Sequence, residues 1–199
     1  MTNELQSASR RAFLTSLTAG CATLLSPGLL AGDFQHIKRR LAAPLQAGQI
    51  LTLAQMKALA AIADVIIPKT DTASASEVDV QGVIDDQLAN AIDAAEAKHF
   101  IDVLDRFCLL TKADQGDAFE NLSSAKQNTC MAALAKAKAP YKDLDSHFFT
   151  QLKSLVALSY YSSEEGGTRE LVYDPIPGGY KGHFKLSENN NRAFSMFYF

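Results

Sequence analysis

Tryptophan is absent, cysteine occurs only three times, and no cluster of the 19 lysines and arginines is dense enough to follow a phosphate backbone. With a formal net charge of −3, that excludes nucleic acid as a natural partner. Cys21, Cys108 and Cys130 cannot supply the four thiolates of an iron–sulfur cluster, and none belongs to a Cys-x-x-Cys-His haem attachment site. His36, His99, His147 and His183 are scattered, without His-x-x-x-His or His-Glu-x-x-His spacing, so no metal ligand is assigned. No Gly-x-Gly-x-x-Gly opens a dinucleotide fold and no Gly-x-Ser-x-Gly elbow presents a nucleophile. Asp85-Asp86 and Glu164-Glu165 read as solvated faces or turn caps, since no motif pairs them with a second carboxylate. No catalytic residue and no cofactor of its own is therefore expected.

The N-terminal stretch 1–32 has a character of its own. In "SASRRAFLTSLTAGCATLLSPGLLAG", Ser9, Arg10, Arg11, Phe13 and Leu14 stand at the edge of a weakly apolar segment. Paired arginines in that setting mark a twin-arginine export signal. The apolar run is too short and too rich in small residues for a membrane span. A cut near Ala31 or Gly32 is expected, although Leu29 and Leu30 are larger than the residue usual three positions before a cut. Cys21 after "LTAG" only faintly resembles a lipoprotein box. Because the twin-arginine route carries folded proteins, periplasmic residence and the translocase as a transient partner are expected. In an oxidising compartment Cys108 and Cys130 could pair, though each stands in an apolar helical context where a buried free thiol is common.

The mature part, at 47% hydrophobic residues for the whole chain, has enough apolar side chain for one core. Residues 33–162 read as the helical domain and 163–199 as an extended C-terminal arm with an aromatic tail. Thr52 and Gln55 are in capping-box register, ahead of Leu53, Met56, Leu59, Ala60, Ala63, Ile66 and Ile67, with Pro68 as the stop. Val80, Val83, Ile84, Leu88, Ala91 and Ile92 give a second apolar stripe. Phe100, Val103, Leu104, Phe107 and Leu110 give a third. Ser124 and Gln127 form another capping-box pattern before Met131 and Leu134, and Phe148, Leu152, Leu155, Val156 and Tyr160 line a last helix. The expected fold is an all-α bundle of about five helices.

The remaining stretch, "SEEGGTRELVYDPIPGGYKG" at 163–182, is punctuated by glycine and proline. Gly166-Gly167 can take positive φ and turn the chain. Pro175 and Pro177 push Asp174 and Ile176 out of the α region. Ser163, Glu164, Gly166, Leu171, Tyr173, Pro175, Pro177, Gly178, Tyr180 and Gly182 fill the pattern S-E-x-G-x-x-x-x-L-x-Y-x-P-x-P-G-x-Y-x-G. That pattern resembles the C-terminal motif of the gluconate 2-dehydrogenase subunit 3 family. "LTLAQMKALAAIADVIIPKTDTASA", at 51–75, resembles the family's opening helix and following loop. His183 departs from the family, where Cys often follows the final glycine, so no covalent link through that position is carried over.

The resemblance implies a small, non-catalytic subunit of a periplasmic sugar, sugar-acid or polyol dehydrogenase. Its large partner would be an FAD-containing flavoprotein of the glucose–methanol–choline class, lacking a signal of its own. A multihaem cytochrome c subunit accompanies many such pairs. The small chain would carry the export signal and support the partner's folding. Arg169, Glu170, Leu171, Tyr173, Pro175, Pro177, Gly178, Tyr180 and Gly182 are the expected partner-binding residues. Phe194, Phe197, Tyr198 and Phe199 of the tail can pack on their own domain or anchor an interface. A stand-alone periplasmic helical binding protein or chaperone is the alternative; an enzyme built on scattered carboxylates has no nucleophile–base constellation behind it.

Overall fold

The computed structural model describes residues 45–172, 183, 185, 187 and 192–194. Five α-helices appear among them: α1 Leu53–Ile66, α2 Val80–Asn90, α3 Ala94–Gln115, α4 Ser124–Ala135 and α5 Phe148–Tyr161. Short 3₁₀ turns at Ser76–Val78 and Phe119–Asn121 join them, and two-residue strands β1 Leu171–Val172 and β2 Ala193–Phe194 follow. The all-α bundle is what the apolar stripes lead one to expect. The signal residues Ser9, Arg10, Arg11, Phe13 and Leu14 lie outside the described residues, as does Cys21.

Helix α1 is the central strut, in contact with α2, α3, α4 and α5. Its start is fixed by the expected capping box: Thr52 N–H donates to Gln55 Oε1 at 2.8 Å and Gln55 N–H to Thr52 Oγ1 at 3.4 Å. Met56, Ala58, Leu59, Ile62 and Ala63 are buried, whereas Leu53, expected in the stripe, is 40% exposed. It stands in the helix's first turn, on the face away from Leu59. Around α1 pack Phe100, Leu104 and Phe107 of α3, with Phe148, Leu152, Val156 and Tyr160 of α5, all almost fully enclosed. Phe107 meets Tyr141 with ring centroids 5.0 Å apart and Phe119 at 5.5 Å; Phe100 meets Phe148 at 5.3 Å. Tyr141's hydroxyl is satisfied at 2.8 Å by Thr111, whose own hydroxyl donates to the Phe107 carbonyl at 2.8 Å, so its burial leaves no orphaned polar group.

One local expectation fails. The pattern at Ser124 and Gln127 does not make a capping box: Ser123 holds the cap position without a side-chain bond. Gln127 Nε2 instead donates to the Phe119 carbonyl at 2.9 Å, a contact with the preceding turn that outcompetes the local one. Cys108 and Cys130 are free thiols. Cys130 is buried, and burial pushes the Cys108 thiol up to about 12, so Cys108 presents no thiolate.

Helix α4 ends at a strained position. Ala137 has φ 46°, and the bonds Ala137 N–H to Leu134 O (3.0 Å) and Lys138 N–H to Ala133 O (2.9 Å) close the turn. That geometry favours glycine, because a Cβ in the left-handed region crowds the next carbonyl. Gly116, after α3, meets the same need at φ 83°. Ala137→Gly is expected to raise stability by up to about 1 kcal/mol, after the extra unfolded-state entropy of glycine is deducted. Thermal melting checks this, and a lower melting temperature would contradict it.

Of the two readings of Asp85-Asp86, solvated face or turn cap, Asp85 takes the second, and does so buried. Asp85 is fully buried and caps a turn from far along the chain. It accepts from the backbone N–H groups of Gln49 (2.5 Å), Ile50 (3.2 Å) and Leu51 (2.9 Å). Gly48 lies so close to the carboxylate that a Cβ there would overlap it. Asp86 plays the lesser part, accepting from Gln49 Nε2 at 2.7 Å.

Candidate partner-binding site

Pro68 closes α1, and the Ala75 N–H of the run 69–79 donates back to the Ile67 carbonyl at the helix end at 3.2 Å. Side chains stitch the run down further. Asp64 accepts from the Ser76 N–H at 2.8 Å and the Ser76 hydroxyl at 2.7 Å. Glu77 accepts from Ser74 N–H at 3.0 Å and pairs with Lys69 at 2.5 Å; the lysine, then the backbone N–H, hold the Glu77 carboxyl below its ordinary value. The loop is thus fixed with the edge at Thr72 and Ala73 facing α5.

Tyr160, fully buried near the end of α5, donates its hydroxyl to the Ala73 carbonyl at 2.9 Å and lies 3.5 Å from Thr72 Oγ1. Burial raises its pKa, with Glu170 and Glu165 adding to the effect against the lowering bond to Thr72, so the phenol remains a neutral donor. Beyond α5 the chain turns at the glycine pair, as expected, but by another geometry. Gly166–Glu170 forms a single π-helical turn, and positive φ is not used at Gly166 or Gly167. The Ser163 hydroxyl donates to the Tyr160 carbonyl at 2.6 Å and accepts from Gly166 N–H at 3.1 Å, which caps the new turn. The need for glycine at 166 is steric. A Cβ there would overlap the Tyr160 carbonyl oxygen, a backbone atom with no freedom to retreat.

The π-turn returns the chain to the loop. Glu165 Oε1 accepts from Ala73 N–H at 3.3 Å and from Arg169 Nη1 at 3.2 Å, and Thr72's hydroxyl donates to Glu170. Loop 69–79 and segment 163–170, some ninety residues apart in sequence, are therefore one junction. They overlap the two stretches that carry the family resemblance, 51–75 and 163–182. Single π-turns inside proteins are concentrated at functional positions, and here the turn leads directly into β1.

Of the expected partner-binding residues, Arg169 is exposed, Glu170 and Leu171 are half-buried, and all three are in this junction or leave it directly. Tyr173, Pro175, Pro177, Gly178, Tyr180 and Gly182 lie outside the described residues. Sequence reasoning missed Thr72, Ala73, Tyr160 and Glu165, which hold the junction together; the available signal was the resemblance of the 51–75 stretch itself. It also missed Leu158 and Tyr161, apolar side chains 59% and 42% exposed on the last turn of α5. Among the described residues no three His, Cys, Asp or Glu side chains are grouped to hold a metal, and no helix is long and apolar enough to cross a membrane.

Gly166→Ala is expected to displace the π-turn from Tyr160, since overpacking against backbone costs about 1–3 kcal/mol. Melting should fall by several degrees, at roughly 2–4 °C per kcal/mol for a chain of this size. An unchanged melting temperature would show that the turn yields freely.

No curated protein and no solved structure matches the chain. The family model described as gluconate 2-dehydrogenase subunit 3 matches residues 54–178, from the first turn of α1 through the junction into the proline–glycine motif. With well over half its length matched, the chain belongs to the gluconate 2-dehydrogenase subunit 3 family.

Proposed function

We propose that this chain is the non-catalytic small subunit of a periplasmic dehydrogenase acting on a sugar, sugar acid or polyol. Its partner is a large FAD-containing subunit of the glucose–methanol–choline class, which it carries through the twin-arginine route and whose folding it supports. A multihaem cytochrome c subunit takes the electrons where one is present. The observation that carries this reading is the family match over 54–178, and the paired-arginine pattern at 9–14 adds the export role. Docking runs through Arg169, Glu170 and Leu171 into Tyr173, Pro175, Pro177, Gly178, Tyr180 and Gly182. Aromatic anchors there contribute about 2 kcal/mol or more each.

Expressing the large subunit with and without this chain tests the folding role. Soluble, FAD-loaded, active enzyme is expected only in the co-expression. Equal yield and activity without the small chain would contradict it.

A further inference from the structure

We propose that Thr72 and Glu165 are positioning residues for partner binding, setting the side chains of Glu170 and Arg169 before the dehydrogenase subunit meets them. Neither stood among the expected contacts. The inference rests on the docking reading above, and within it on residues 169 and 170.

The loop edge is pinned through the main chain of Ala73. Its carbonyl accepts from the Tyr160 hydroxyl at 2.9 Å, and its N–H donates to Glu165 Oε1 at 3.3 Å. Both polar groups of that residue are thus engaged by α5 and the turn after it. Thr72 is fixed as well, and its hydroxyl donates to Glu170. Glu165 serves Arg169 in the same way: the Oε1 that holds Ala73 also accepts from Arg169 Nη1 at 3.2 Å. Exposure separates the roles. The Arg169 side chain is 66% exposed and that of Glu165 22%, so the arginine is open to a partner and the carboxylate mostly is not. A guanidinium is planar and carries five donors, so one bond at Nη1 orients the fork without using it up.

An ion pair this exposed contributes little to the stability of the fold. Its consequence lies in binding. Ordering a long, rotamer-rich side chain at an interface lowers affinity by roughly two- to tenfold, a cost that is absent where the side chain arrives already placed.

Each full-length variant is co-expressed with the dehydrogenase subunit and a differently tagged wild-type chain. Its share of the purified complex, corrected for its share of the total, reads relative affinity. Thr72→Val and Glu165→Ala should each compete roughly three- to tenfold less well. Thr72→Ser, which keeps the hydroxyl, should stay within about twofold of wild type. A double-mutant cycle separates positioning from mere closure of the junction. In a Glu170→Ala background Thr72→Val should change the share by less than about twofold, and so should Glu165→Ala in an Arg169→Ala background. The proposal is overturned if either single variant competes as wild type, if Thr72→Ser is as weak as Thr72→Val, or if the losses persist undiminished in those backgrounds. A loosened junction would give that persistence, since it does not act through one side chain. Arg169→Ala with Glu170→Ala tests the reading beneath. If that variant competes as wild type, docking through these residues is wrong. If it competes poorly while Thr72→Val and Glu165→Ala compete as wild type, only the positioning is wrong.

Discussion

Cells carrying Arg10→Lys with Arg11→Lys are expected to retain both this chain and its dehydrogenase subunit in the cytoplasm, with periplasmic activity falling to background. The substitution keeps both charges and the apolar segment. It removes only the planar guanidinium groups, which lysine does not imitate, so a general loss of positive charge cannot account for the effect. The effect on the partner matters most. In the proposed reading, the cofactor that calls for folded export is the FAD of the large subunit. Fractionation with a dehydrogenase assay reads the outcome. If this chain is stranded while the dehydrogenase reaches the periplasm at normal activity, the export role disappears and the stand-alone reading gains.

Asp85→Ala should be strongly destabilising although it removes no apolar packing. Three backbone N–H groups, of Gln49, Ile50 and Leu51, converge on this fully buried carboxylate. Removing a buried charge relieves a desolvation cost, and where both partners of a pair are replaced the two effects can cancel. Here the donors are backbone and remain. Each buried unsatisfied N–H costs about 1–3 kcal/mol, and water reaching the gap recovers part of that. The expected loss is about 3 kcal/mol or more, or roughly 6–12 °C in melting temperature. Asp85→Asn should rescue it only in part, because Oδ1 can still accept from Ile50 and Leu51 while the amide NH2 faces the Gln49 N–H. Melting of either variant within a degree of wild type would show that segment 48–51 is held by packing alone.

What could be read from the sequence, and what could not, divides by distance along the chain. The apolar spacing of α1, α3 and α5 and the Thr52–Gln55 box are local patterns, and the structure contains them. The Ser124–Gln127 pattern was equally local, yet Gln127 found Phe119 eight residues back. For Asp85 the sequence left solvated face and turn cap both open, because its partners are 34–36 residues away, beyond any periodicity. Gly166 was correctly picked as a constrained position for the wrong reason: the constraint is the Tyr160 carbonyl against it, not a turn needing positive φ. The junction of loop 69–79 with 163–170 joins groups more than ninety residues apart. Only the family resemblance, which touches both stretches, pointed toward it.

The central claim is that this chain works as a subunit, and purification of the tagged chain from the periplasm tests it most directly. The account predicts one complex, resolved by size-exclusion chromatography, that contains a large flavoprotein, shows FAD absorbance and oxidises a sugar, sugar acid or polyol. Recovery of the chain alone, colourless and at or below its 21.5 kDa mass, from cells whose dehydrogenase is active in separate fractions, would contradict it.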